Sequence, residues 1–232
     1  MKLNELRDTS YEIAKSKGWH DDDLKRSFAD LMALVISELA EALEEHRAGK
    51  PAREIEFRKQ GSESVCWYKP GPEDQDEAVL RAALLLIEEG HKPEGVVIEL
   101  TDALIRIGDC AGKYGWELGT MVLEGCDISA LVAHSIPEDP EEAGDFGTWF
   151  LKICNELLEA HDCSTAFSRE CEFSYSAANA ENAAAEALGR AVCAICRMAF
   201  HLGITGEELE RAIEIKHAYN RTRSRRHGGK LL

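Results

Sequence analysis

Apolar residues recur every three or four positions along most of the chain, with polar residues between them. The spacing predicts helices at 3–17, 25–48, 74–90, 94–114, 117–133, 144–161, 178–202 and 205–222. Gly49, Lys50 and Pro51 stop the second of these, since glycine and proline do not continue a helical turn. Residues 52–71 lose the helical period. They predict an irregular stretch or a small hairpin with QGSES as its turn. The run from Pro137 to Asp145 (PEDPEEAGD) is acidic, holds proline and glycine and has no large apolar residue. It reads as a linker between a unit at 1–136 and a unit at 146–232.

The two units share a pattern. Phe28-x9-Glu38-Leu39-x-Glu41-Ala42 recurs as Phe146-x9-Glu156-Leu157-x-Glu159-Ala160, a shift of 118 residues. Further on, LTDALIRIGDCAGKYGW aligns with LGRAVCAICRMAFHLGI at a shift of 88, placing Leu100 on Leu188 and Gly115 on Gly203. Chance likeness between Ala- and Leu-rich helices is the competing explanation. Under the alignment Glu99 falls on Ala187 and Asp102 on Arg190. The second unit therefore keeps one acidic pair and has lost the other. The expected architecture is all-α: two similar helical units packed about a pseudo-two-fold axis.

Chemistry enters with two acidic pairs, Glu38/Glu41 and Glu99/Asp102. An i, i+3 spacing places both carboxylates of a pair on one helix face. Apolar neighbours border each pair, and a carboxylate there is costly unless a cation or hydrogen bonds compensate it. Two such pairs facing each other supply the oxygen ligands that Mg²⁺ prefers. The alternative is two solvated faces of amphipathic helices.

Composition narrows the classes. Aromatic residues make up only 7%, while Ala, Leu, Glu and Arg are abundant, which favours helices. A formal net charge of −16 argues against general binding to nucleic acid or anionic membranes, but not against a nucleotide carried with Mg²⁺. The opening segment is amphipathic and polar rather than a secretory leader, and no apolar run approaches a membrane span, so a soluble cytoplasmic protein is expected. Eight cysteines then imply no disulfides, and Cys193/Cys196 reads as a pair of buried thiols rather than half a zinc site. No Walker-type phosphate loop or HExxH is present.

Glu38/Glu41, Glu99/Asp102 and the later Lys216 and Asn220 together resemble the MazG-like all-α nucleoside-triphosphate pyrophosphatases. That group includes the dimeric dUTPases and phosphoribosyl-ATP pyrophosphatase. The KPEG before Val96 and the closing YNRTRSRRHGGK resemble one branch of it. The likeness covers roughly residues 20–48, 92–118 and 203–230. Many relatives carry a further Glu where this chain has Ser37.

The resemblance implies hydrolysis of a nucleoside triphosphate to a monophosphate and pyrophosphate. It assigns Glu38, Glu41, Glu99 and Asp102 to Mg²⁺ (or Mn²⁺), with Glu41, or else Glu38, as the base. Lys216 and Asn220 are implied to contact the phosphates, and Arg223 joins them as a substrate-binding candidate. Arg106, one turn beyond Asp102, either reaches a phosphate or pairs with Asp102. Trp19, Trp67, Tyr68 and His46 are candidates to hold the base, against a core or surface role for each. The chain then looks like a dimer fused into one polypeptide with one working site, monomeric or paired again as a homodimer. Its cationic end, RTRSRRHGGK, is expected to fold over bound phosphates and to be mobile without them. An inactive nucleotide-binding module or sensor on the same fold is the main alternative, and a purely structural bundle the third.

Overall fold

A computed structural model describes residues 1–59, 65–68, 76–118, 126–135, 144–169 and 174–229. The architecture is a helical bundle with a small sheet at one end. Its elements are α1 (Leu3–Ser16), α2 (Phe28–Arg47), β1 (Ile55–Lys59), β2 (Val65–Tyr68), α3 (Asp76–Glu88) and β3 (His91–Glu94). They continue as α4 (Val96–Tyr114), α5 (Ile128–Ala133), α6 (Phe146–Arg169), α7 (Ser174–His201), α8 (Gly206–Thr222) and the short α9 (Arg226–Gly229). No single described helix is long and apolar enough to cross a membrane.

Helix α4 is the centre of the molecule. It opens with Val96, Val97 and Ile98, β-branched residues that are stiff in a helix, so its stability rests on packing more than on propensity. Leu100, Leu104 and Ile107 are fully buried, each stabilising by roughly 1.5–3 kcal/mol relative to exposure. α1, α2, α7 and α8 all pack against it. The approach of α1 depends on small residues. A Cβ on Gly112 would lie 2.4 Å from the Cβ of Tyr11, and one on Gly108 would lie 3.2 Å from the Leu6 carbonyl oxygen.

The expected hairpin at 52–71 is present as β1 and β2, with Ile55 opposite Tyr68 and Arg58 opposite Val65; its QGSES turn lies outside the described residues. A third strand, β3, was not expected. It pairs antiparallel with β1 on the other side, Phe57 opposite Pro93, giving the order β2-β1-β3. Pro93 is tolerated there because β3 is an edge strand. Gly95 follows at φ +127°, and a Cβ on it would lie 2.7 Å from the Glu54 carbonyl oxygen. Only glycine meets both demands. The sheet thereby anchors the first turn of α4, where Glu99 sits.

Three boundaries differ from the sequence reading. The helix expected at 117–133 is reduced, among the described residues, to α5; Glu117 and Leu118 lie outside any helix, and Asp127 caps Ile128 onward. α6 runs on to Arg169, since His161–Arg169 contains no helix breaker even though its apolar period fades, and α7 begins earlier, at Ser174. Most of the acidic linker, residues 137–143, lies outside the described residues.

The α2/α4 and α6/α7 hairpins share several local features. Val35, Leu39 and Ala42 are fully buried, as are Ile153, Leu157 and Ala160 at a shift of 118. Ser27 caps α2 by accepting from the Asp30 N–H, and Asp145 caps α6 by accepting from the Thr148 N–H. Gly115 and Gly203 both end their helices at positive φ, followed by the same 2.9 Å bonds, Trp116 N–H to Ala111 and Ile204 N–H to Ala199. Phe28 stacks on His161, and Phe146 stacks on His46. The first residue of each helix thus packs against a histidine in the second half of the other.

Replacing Gly112 with Ala should destabilise the protein by about 1–3 kcal/mol, because Tyr11 must shift and α1 with it. Chemical denaturation measures this, and an unchanged midpoint would contradict the close α1–α4 contact.

Candidate metal and nucleotide site

Helix spacing brings Glu38 from α2 and Glu99 and Asp102 from α4 to one place. Each offers a carboxylate oxygen within 4.8 Å of the others. All three are buried. Glu41, one turn beyond Glu38, lines the same cavity but is exposed and stands outside this cluster.

Two cations already lean on the cluster. Lys216 on α8, itself buried, places Nζ 2.5 Å from an Asp102 oxygen. Arg106 donates from Nε to Glu38 at 3.0 Å. Sequence had offered Arg106 a phosphate or Asp102; the partner is Glu38, on the facing helix. Burial against Asp102 raises the Glu38 carboxyl above its usual range, with Arg106 opposing the rise. Glu99 makes no ion pair among the described residues, and desolvation pushes its pKa up to about 8, partly opposed by Lys216 and Lys92.

These groups line a cavity of about 230 Å³. At the carboxylate end stand Ser37, Glu41 and Lys92. Asn220 and Arg223 face it from α8 and its end, and Trp19 closes the far side. Glu38, Glu41, Glu99, Asp102, Arg106, Lys216, Asn220, Arg223 and Trp19 therefore all line one cavity. Among the other candidates for the base, His46 is committed to its stack with Phe146, while the side chains of Trp67 and Tyr68 lie outside the described residues.

The cationic tail behaves differently from expectation. Arg226 binds Asp21 and Asp23, Arg225 binds Asp21, and the Arg226 N–H donates to the Lys17 carbonyl at 3.0 Å. Asp21 and Asp23 are the reason: their carboxylates hold both guanidinium groups beside the α1–α2 connection. Among the described residues of this segment, Arg223 and His227 line the cavity, His227 with its ring edge-on to Trp19 at 5.1 Å. Lys230 lies outside the described residues.

Sequence reading missed several residues here. Asp109, buried at the cavity wall, accepts from His20 Nε2 at 2.5 Å. It lies seven residues after Asp102, on the same helix face, and that spacing was the available signal. His217 lines the cavity with Nε2 3.1 Å from Ser10 Oγ, and desolvation lowers its pKa to about 4. Nothing local in sequence marks this contact between chain ends.

In the second hairpin, the position matching Asp102 carries Arg190. Its guanidinium binds Glu156 at 2.7 Å and Glu159 at 2.8 Å. One side chain occupies the acidic pair. The thiol of Cys196 is fully buried, which pushes its pKa up, and Cys193 and Cys196 are both free.

Comparison of the chain with family models, curated proteins and solved structures gave no match in any of the three.

The electrostatics set a pH dependence. The native Glu99 pKa, about 8, lies above its ordinary 4.5, so the metal-free native state holds a proton that the unfolded chain releases. This contribution to stability is complete below about pH 4.5 and is lost as pH rises towards 8. With a chelator present, wild type should lose stability relative to Glu99→Gln across that window in denaturation titrations. Parallel curves would contradict the assignment.

Proposed function

We propose that the chain is a Mg²⁺-dependent nucleoside-triphosphate pyrophosphohydrolase of the MazG-like kind, a duplicated single-chain pseudo-dimer with one working site. The observation that carries this reading is the convergence of three buried carboxylates from two helices, faced by Lys216, Asn220 and Arg223 from a third direction. The donor set suits the ion: all three groups are hard oxygen ligands, and a buried Glu99 without an ion pair among the described residues favours its charged form only when a cation is near. The matched caps, burial positions and reciprocal Phe–His stacks support the duplication.

Glu38, Glu99 and Asp102 would hold Mg²⁺. When bound, the ion acidifies water and neutralises charge on a leaving pyrophosphate. Lys216 lies where it can pass from Asp102 to a phosphate oxygen, acting as a mobile point charge. Asn220 adds an amide donor and Arg223 a forked one. Arg106 stays on Glu38 and fixes its orientation. Glu41, close to the cluster but outside it, takes the proton of the attacking water. Water adds to the α-phosphorus, the bond to the bridging oxygen breaks, and monophosphate and pyrophosphate leave.

One observation favours the alternative of an inactive nucleotide-binding module. Lys216–Asp102 and Arg106–Glu38 already neutralise two of the carboxylates, as Arg190 does in the second hairpin. Turnover separates the two.

Pyrophosphate release from a panel of ribo- and deoxynucleoside triphosphates with Mg²⁺ is the test. Glu99→Ala or Asp102→Ala should lower kcat by roughly 100-fold or more with helical content retained. The double change Glu156→Ala, Glu159→Ala should cost far less. Equal losses from both sets would sink the one-site reading, and binding without turnover would leave the sensor.

A further inference from the structure

We propose that Asp109 selects the base of the nucleotide, favouring bases that present an exocyclic amino group over uracil and thymine. This rests on the nucleotide reading of the cavity. Asp109 lies about 10 Å along α4 from Asp102 and on the same face. That is the reach of a ribose and base from a phosphate held at the metal end. The cavity is continuous between them, and its far walls are Ile13, Ala14, Ile105 and Trp19. Trp19, Ile13, Ala14 and Ile105 offer a planar ring apolar area among polar neighbours that include Ser10, Lys17 and His217, and Asp109 is the acidic group beside them.

The two oxygens of Asp109 have different tasks. Oδ1 is taken by His20, whose ring is steadied against Tyr11 at 4.8 Å. No donor among the described residues is in hydrogen-bond reach of Oδ2. The nearest cation, Arg26, is 3.9 Å away, and it spends Nη2 on the Trp19 carbonyl at 2.8 Å while its guanidinium lies over the Trp19 ring. Asp109 is oriented by His20 on one side, and its other oxygen makes no hydrogen bond among the described residues, with only the longer ion pair to Arg26 beside it, while the residue itself lines the cavity. A carboxylate in such a place accepts and never donates.

That property sorts the bases. Cytosine N4 and adenine N6 place an amino donor where thymine and uracil place the O4 acceptor, and guanine, with O6 there, offers its N1–H and N2–H₂ donors side by side further along the edge. The N3–H of uracil and thymine is flanked by carbonyl oxygens on both sides, which a carboxylate repels. His20 is a positioning residue: it holds the carboxylate in place and does not touch the base.

The test compares CTP, ATP, GTP and UTP, with Mg²⁺, by pyrophosphate release. Wild type should favour at least one amino-bearing nucleotide over UTP in kcat/KM by about tenfold or more. Asp109→Asn supplies an amide N–H₂ in place of one oxygen. It should move the ratio towards UTP, mainly through KM. His20→Ala should narrow the preference while keeping the Mg²⁺ requirement, and it serves if Asp109→Asn does not fold. A wild-type preference for UTP, no preference at all, or a ratio unmoved by both variants overturns the role of Asp109 and leaves the pyrophosphohydrolase reading standing. No turnover of any nucleotide overturns that reading instead. Thermal shifts of the wild type with CTP against UTP then decide the base preference alone, equal shifts overturning it.

Discussion

Three carboxylates in the interior, contributed by helices packed side by side, are the constraint around which this molecule is organised. Acidic groups so close repel one another and lose their hydration, and neither cost is offset by packing. The surroundings answer with Arg106 on Glu38, Lys216 on Asp102 and Lys92 near Glu99. Lys216 reaches the cluster from the far end of the chain, so the charge balance of the site ties α8 to α4. That tie also brings Asn220, Arg223 and His217 to the cavity.

The second hairpin solves the same problem in another way. Glu156 and Glu159 remain, but Arg190 stands where Asp102 would be and spans both. The group is more exposed, and its ion pair is the ordinary surface kind, worth little to stability. The contrast separates what the helix geometry provides, an acidic i, i+3 face beside an apolar seam, from what makes a face into a site. The decisive residues are on the facing helix: Glu99 and Asp102 in one hairpin, Ala187 and Arg190 in the other.

Much of this was legible from sequence. Helical periodicity located α1, α2, α4 and α8 to within a few residues, and the i, i+3 spacing placed each acidic pair on one face. The repeat predicted matched burial and the matched glycine ends of α4 and α7. What escaped depends on contacts between distant residues. β3 has the sequence HKPE, with no alternating pattern, and becomes a strand because β1 offers a free edge. The pairing of Arg106 with Glu38 needed the relative rotation of α2 and α4. The docking of α1 through Gly108 and Gly112, which delivers Ser10, Ile13 and Ala14 to the cavity, leaves no local signature. The basic tail was readable as charge but not as a partner for Asp21 and Asp23.

The account stands or falls on whether Glu38, Glu99 and Asp102 form one divalent-cation site per chain. Mn²⁺ in place of Mg²⁺ allows this to be counted by electron paramagnetic resonance, with no nucleotide present. The account predicts one bound ion per chain, lost in Asp102→Asn and kept when Glu156 and Glu159 are both replaced by Gln. Two equivalent ions per chain, or a single ion indifferent to Asp102→Asn, would contradict it.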